Sequence, residues 1–359
     1  MGLINTTDSG VKEEYTRYTY RKIVFILLCI VLAALFFFIS LCVGTLELSI
    51  NEVFTLFFNH LKGIKPVTPT EIYNDHIVWD FRVPRAIFAI VAGVALGIGG
   101  AVMQSVMKNP LADPYTTGVS SGALLGVAVA MILGFSVGGS GDVAVVFNAI
   151  IFAMIPIGII VMMAPFFRKS PATLILSGVA VSFLFNSVTS LLMVSTDAAT
   201  LAVVYRWMVG NFSDMTWDVV PLSVGMTCIG MAILLPLAGK LNIMTLDDKD
   251  AKSLGVNVEN LRVLCLVVLG AMTAVIISYV GIIGFVGLVV PHIIRILLGA
   301  DNKYLMPAAG VFGAVFLLGC DIVSRAIDIG ASIPVGVITS AIGAPIFMYL
   351  IVRQRRSVW

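Results

Sequence analysis

The chain has 359 residues, of which 59% are hydrophobic and 12% charged, with a formal net charge of +2 and a mean hydropathy of +1.04. These values exclude an ordinary soluble domain and give nucleic acid no electrostatic foothold; they call for many bilayer spans. Because a span takes roughly 20 apolar residues plus a connection, the chain has room for about ten spans and none for a soluble catalytic domain. The predicted class is an all-α polytopic membrane protein, multi-pass in the cell (cytoplasmic) membrane.

Residues 1–22 are polar, end in Arg21-Lys22, and read as an N-terminal tail. The apolar run 23–43 that follows exceeds a signal-peptide core of about 7–15 residues and lacks a small-x-small cleavage site, so it is read as the first span. Residues 44–82 form a polar connection. Within it Ser49-Ile-Asn-Glu52 is a capping-box pattern leading into Val53, Phe54, Leu56, Phe57 and Phe58, which predicts a short amphipathic surface helix. Spans two and three are placed at 84–106 and 114–134, joined by a loop in which Pro110 and Pro114 deny helix continuation. Gly93/Gly97, Gly118/Gly122 and Gly122/Gly126 are small-xxx-small pairs that allow close helix approach.

A Gly-Ser-rich connection at 136–141 leads to span four at 143–166, closed by Arg168-Lys169, and span five at 173–195 has no charge. The polar segment 196–217 carries Trp207 and Trp217 as interface anchors. Span six (218–238) enters the charged stretch 240–262, where Thr245, Asp247, Asp248, Asp250, Lys252 and Gly255 spell the start and stop of one short helix, with a second expected at Val258–Arg262. The stretch 263–294 lacks charge and is read as two short spans around a Gly281–Gly284 turn, followed by spans at 305–325 and 334–352 and a tail at 353–359.

With ten spans and both termini cytoplasmic, 16 Lys and Arg fall inside and 6 outside, as the positive-inside rule asks. Merging 263–294 into one span would put the tail cluster Arg353, Arg355 and Arg356 outside. The predicted spans are nearly free of ionisable groups, which speaks against an ion-coupled carrier, although sodium sites can be built from carbonyls alone. Asp321 and Arg325 are the exceptions; four apart near an outer helix end, they can pair and reach the interface. Polar side chains within spans, Gln104, Asn186, Ser187, Thr189, Ser190, Thr339 and Ser340, either bond across helices or line a wet path. Arg82, Arg85 and Arg325 read either as snorkelling interface residues or as a rim for a partner's carboxylates. The five cysteines lie singly, His60, His76 and His292 are scattered, and no GxxxxGK[ST] loop occurs, so any ATPase must be a separate chain.

Arg82-Val-Pro-Arg85, the Gly-rich run to Gln104, Lys108-Asn-Pro-Leu-Ala-Asp-Pro114, Trp207-Met-Val-Gly210, Ala251-Lys-Ser-Leu254-Gly255, Gly284–Arg295 and Ile333–Pro345 together resemble the FecCD-type permeases, over about residues 20–355. These are membrane subunits of ABC importers for ferric siderophores, haem and vitamin B12. The resemblance implies the type II ABC importer permease fold with ten helices per subunit in a homodimer, or a heterodimer with a similar permease. It further implies two cytoplasmic ATPase subunits, which use ATP and Mg, and an extracytoplasmic substrate-binding protein. No cofactor or metal is implied for this chain, which is non-catalytic. The resemblance casts Arg82, Arg85 and Arg325 as binding-protein docking residues, and Leu246, Asp248, Ala251, Leu254 and Gly255 as the ATPase-coupling surface. The family's usual Leu-Gly-Glu opening is Leu246-Asp247-Asp248 here. It also places a cytoplasmic gate at Pro171 and Ala172, without the small hydroxyl residues of the vitamin B12 permease, and a path past Asn186, Ser190 and Thr339. The expected cargo is an iron complex; the alternatives are vitamin B12, haem or molybdate, or an ion-coupled secondary transporter.

Overall fold

The computed structural model describes residues 8–137, 141–163, 171–327 and 333–354. Among them the regular structure is helical: α1 (Asp8–Cys42), α2 (Ile50–Leu61), α3 (Pro69–His76), α4 (Val83–Met107), α5 (Val119–Leu133), α6 (Asp142–Met163), α7 (Pro171–Val194), α8 (Ala198–Met208), α9 (Val220–Leu234), α10 (Ala238–Met244), α11 (Asp248–Ser253), α12 (Val258–Val280), α13 (Val286–Leu298), α14 (Asn302–Ala326) and α15 (Val335–Gln354). Seven helical stretches are long and apolar enough to cross a bilayer; α5, α13 and Val335–Leu350 of α15 are shorter apolar helices. The division of 263–294 into two elements is observed, because Gly281 (φ +76°) ends α12 and a turn separates it from α13.

Helix α4 lies at the centre and is buried along almost its whole length. It can do so because Gly93 and Gly97 lie directly against the backbone of α14, where an added Cβ would collide with the carbonyl oxygens of Gly313 and Ala309. Gly100 meets the carbonyl of Gly287 on α13 in the same way. On a neighbouring helix pair, Gly122 and Gly126 of α5 abut the backbone of α6 at Phe152 and Asn148. Lipid supplies no hydrophobic drive between helices, so such backbone contact, rich in dispersion energy, is what holds them together.

The two ends of the bundle are distinguishable by their side chains. At one, the arginine end, lie Arg82, Arg85 and Arg325; at the other, the knob end, lie Lys108 and α11. At the knob end Asn242 of α10 accepts from both Asn302 nitrogens and donates to Asp301, while Ser105 of α4 donates to Asn302. Tyr18 of α1 donates to Leu298, and the Lys22 ammonium sits over the rings of Tyr18 and Tyr304.

Several elements depart from the sequence reading. Residues 8–22 of the N-terminal tail are helical and continuous with the first span. The helix expected at Val258–Arg262 is the first turn of the long α12, since Asn257 caps it and nothing interrupts the run to Val280. The segment 196–217 contains α8, which starts where Asp197 accepts from Ala199 and Thr200. Trp217 donates to the Trp79 carbonyl and packs on its ring, so it is an internal brace. A π-helical stretch at Ile77–Arg82 precedes α4, with Val83 donating to Val78; Pro84, which has no N–H to give, follows at once. The capping box of Ser49 and Glu52 forms as read.

The Gly97→Ala change should destabilise by about 1–3 kcal/mol, because α4 and α14 must separate. Gly158→Ala on α6, where an added Cβ meets nothing within 4 Å, should be neutral or stabilising by up to about 1 kcal/mol. Thermal unfolding in a fixed detergent compares the two, and equal effects would contradict the packing account.

Candidate functional site

Two polar constellations and one open helix face stand out from the apolar body. At the arginine end, Asp321 of α14 is wholly buried between two guanidiniums. Arg85 donates to one carboxylate oxygen from Nε (2.9 Å) and Nη2 (2.7 Å), and Arg325 to the other from Nη2 (2.7 Å). The remaining donors turn to the end of α1. Arg325 donates to the carbonyls of Ser40 (2.9 Å) and Val43 (2.6 Å) and to the Ser40 hydroxyl, while Arg82 donates to those of Leu41 (2.7 Å), Cys42 (3.4 Å) and Leu46 (2.6 Å).

Those of Ser40, Leu41 and Cys42 belong to the last turn of α1, which leaves them without intrahelical partners at the negative end of its dipole, and Val43 and Leu46 follow just beyond it. Helix α1 has no basic residue in its own last turn; its cap is supplied by side chains from α4 and α14. Three predicted docking residues are thus brought together, but facing inward. Arg82 is only 5% exposed, and of the other two Arg85 keeps the more open side chain, 13% against 9% for Arg325. The pairing of Asp321 with Arg325 is as expected, and Asp321 is wholly enclosed by protein.

At the knob end, Lys108 donates to Asp248 (2.7 Å) and to the Leu246 carbonyl, and Arg262 approaches the other Asp248 oxygen (3.5 Å). Partial burial pushes the Asp248 carboxyl up, but the hydrogen bond from Lys108 and the charges of Arg262 and Lys108 outweigh it and leave its pKa below the ordinary value. Among the predicted coupling residues, Leu246 (46% exposed) and Leu254 (59%) form an apolar outer face. Ala251 is buried beneath it, and Gly255 takes the left-handed geometry (φ +82°) that ends α11. Asp248 is a tie, turned toward Lys108.

On the open side, Asn186 and Ser190 of α7 are exposed, among the equally exposed apolar side chains Leu176, Phe183, Leu191 and Val194. Beyond Ser190 a recess of about 410 Å³ is lined by Ser190, Met193, Val194, Thr196, Ala198, Leu201 and Tyr205. Thr339 is not part of this face; it is buried and donates to Gly336. Pro171 and Ala172 open α7, and their side chains lie outside the described residues, as do the neighbouring Arg168 and Lys169.

One convergence was not anticipated from sequence. Three glycine turns from distant parts of the chain interlock near the arginine end. Gly281 packs on the Trp207 carbonyl, Gly336 on that of Val209, and the backbone bonds Asn211 to Val280 and Gly336 to Gly210 tie them. Each motif is visible in the sequence by itself; nothing in their spacing shows that they touch. Gln104 is likewise internal, donating to Leu288 and accepting from Arg295.

Comparison with known proteins places this arrangement. The profile of the FecCD transport family matches residues 31–353. A cobalamin import system permease protein of Halobacterium salinarum is 38% identical over 77% of this chain and 73% of its own length. An iron(3+)-hydroxamate import system permease protein of Bacillus subtilis is 29% identical over 99% of this chain and 89% of its own. Among solved structures, a metal-chelate type ABC transporter in an inward-facing conformation superposes with a TM-score of 0.80 at 30% identity, covering 91% of this chain and 98% of that one.

Replacing Asp321 by Asn should leave two facing guanidiniums without a counter-charge and cost about 3–5 kcal/mol. Thermal unfolding of the detergent-solubilised chain measures it, and a loss below about 1 kcal/mol would mean the cluster is not structural.

Proposed function

This chain belongs to the FecCD transport family, the membrane-spanning, non-catalytic permeases of ABC importers, and from that premise we propose that it carries an iron complex of the ferric siderophore class into the cell by alternating access. Two copies form the path, with the open α7 face of each turned to it. Two ATPase chains seat against the knob end, which is cytoplasmic together with both termini, and an extracytoplasmic binding protein docks at the arginine end. ATP binding and hydrolysis then move the knob, and the path opens to each side in turn. The uncharged character of α7 suits a bulky chelate recognised mainly by the binding protein; the relatives include cobalamin as well as iron-hydroxamate permeases, and the choice of an iron complex over vitamin B12, haem or molybdate follows the breadth of the family.

The observation that carries the reading is the knob. An exposed Leu246 and Leu254 flanking a short helix held in place by Lys108 and Arg262 make a firm apolar footing, suited to a partner that pushes or pulls. Asn186 and Ser190 add support, because polar side chains exposed in mid-span are costly against lipid and acceptable beside water. In the docking step, Arg85 is the arginine that shares its guanidinium with a carboxylate of the binding protein, while Arg82 and Arg325 keep the rim in shape by capping α1. The gate lies at the start of α7, at Pro171 and Ala172, and the path runs on past Asn186 and Ser190, with Thr339 supporting it from behind.

The chain purified with its genomically neighbouring ATPase and binding protein, in nanodiscs, tests this directly. A ferric siderophore should bind the binding protein and raise ATP hydrolysis, whereas haem, cobalamin and molybdate should not; stimulation by one of those alone would replace the cargo. Leu254→Asp should release the ATPase chains, seen as loss of co-purification. Arg85→Gln, which leaves Asp321 paired with Arg325, should weaken stimulation by the binding protein about tenfold, corresponding to the loss of one charge-assisted contact. Unchanged stimulation would remove Arg85 from the docking step.

A further inference from the structure

Lys108 ends α4 in left-handed geometry, φ +49°, with Asn109 donating to Gln104 and Lys108 to Ser105. This is the glycine position of a helix C-terminus, and a residue with a Cβ is disfavoured there. Such an outlier points toward a use for the side chain, and here the side chain holds Asp248 and the Leu246 carbonyl of the knob. The segment that follows leads elsewhere. At its far end the backbone of Thr116 and Thr117 lies flush on Gly178 of α7, where an added Cβ would collide with the Thr116 carbonyl. Gly118 (φ +86°) lies beside Ser182 of the same helix.

We propose that residues 108–118 are a rigid strut that carries motion of the knob to α7, with Lys108 as the positioning residue at one end and Gly178 as the seat at the other. The proposal deepens the importer reading and rests on it for the source of the motion. Rigidity is visible bond by bond. Asn109 accepts from Leu111 through its side chain (2.9 Å) and from Ala112 through its carbonyl (3.1 Å). Asp113 accepts from the Thr116 amide (3.0 Å) at its carboxylate and from the Thr116 hydroxyl (2.7 Å) at its carbonyl. Thr117 donates to Pro114, Gly118 to Tyr115, and two prolines fix φ at Pro110 and Pro114. The middle of the strut rests on α4 and α13, Pro114 lying against Gly99 and Gly287; this contact is the fulcrum about which the strut tilts while α4 stays in place. A segment so tied transmits displacement instead of absorbing it, and the glycine at its seat removes the side chain that would cushion the contact. Adjacency alone does not establish coupling; the geometry supplies a rigid element with a fixed grip at each end.

Hydrogen–deuterium exchange of the permease alone in nanodiscs tests the strut without any ATPase. Lys108→Gly relaxes the backbone while deleting the ammonium, so the fold is retained. It and Asp248→Asn should each raise exchange at 113–118 and around Gly178 several-fold, with α14 unchanged. The double variant should fall well short of the sum of the two single ones, because both remove the Lys108–Asp248 tie. Lys303→Ala, an exposed lysine at the same end, should do nothing. Wild-type exchange around Gly178 in Lys108→Gly, or additive effects in the double variant, would overturn the strut. In the assembled complex, ATP with vanadate should alter exchange in α7 of the wild type and fail to do so in Lys108→Gly; an equal response in both would likewise overturn it. If the wild-type chain binds no ATPase, the importer reading fails, and the exchange experiment on the permease alone still judges the strut.

Discussion

Backbone-to-backbone contact between α4 and α14 is the constraint on which the rest of the structure depends. Gly93, Gly97 and Gly313, with Ala309, let the two helices touch without intervening side chains, and Gly100 with Gly287 brings α13 to the same distance. In a bilayer that closeness is itself the source of adhesion, since apolar side chains gain little by leaving lipid for protein. A helix gripped in this way along its length is a poor candidate for movement. Motion is then left to the elements around it, and α7, exposed along one side, is the obvious one.

Each end of the central pair carries a polar device that suits this division. At the arginine end, two positive side chains and a buried carboxylate fasten α1 by its unsatisfied carbonyls, turning charge that would be expensive within the membrane into a helix cap. At the knob end, one lysine in strained geometry joins α4 to α11. The first device makes a stable rim; the second makes a lever. An importer needs both, a face that a binding protein can find in one shape and a contact through which an ATPase can work.

Much of this was legible in the sequence because membrane helices obey few rules strictly. The apolar runs, the Pro110 and Pro114 break, the Ser49–Glu52 cap and the Gly281 turn each follow from local chemistry, and the structure has them. The motifs with Arg82, Lys108, Trp207, Leu254 and Gly284 pointed to the FecCD permeases, and the family profile agrees. What the sequence could not reveal was direction. Three arginines near a membrane surface look alike whether they face a partner or the end of α1, and Asp321, which decides between those orientations, is 236 residues from Arg85. Thr339 could be placed on a span but not on a face of it. Helix α8 was hidden because its cap, Asp197, follows an apolar span directly and its own residues were read as connection. For the arginines and Thr339 the missing information was a contact between distant segments, to which periodicity and propensity are blind; for α8 the signal was local, the Asp197 cap.

The claim at the centre of this account is that the α4–α14 core stays fixed while α7 moves. Spin labels placed in pairs, one pair reporting the α4–α14 separation and the other α4–α7, can be followed by pulsed dipolar spectroscopy in nanodiscs with the ATPase partner, without nucleotide and trapped with ATP and vanadate. The account predicts an unchanged α4–α14 distance distribution and a shifted α4–α7 one. A shift between α4 and α14, or a stationary α7, would contradict it.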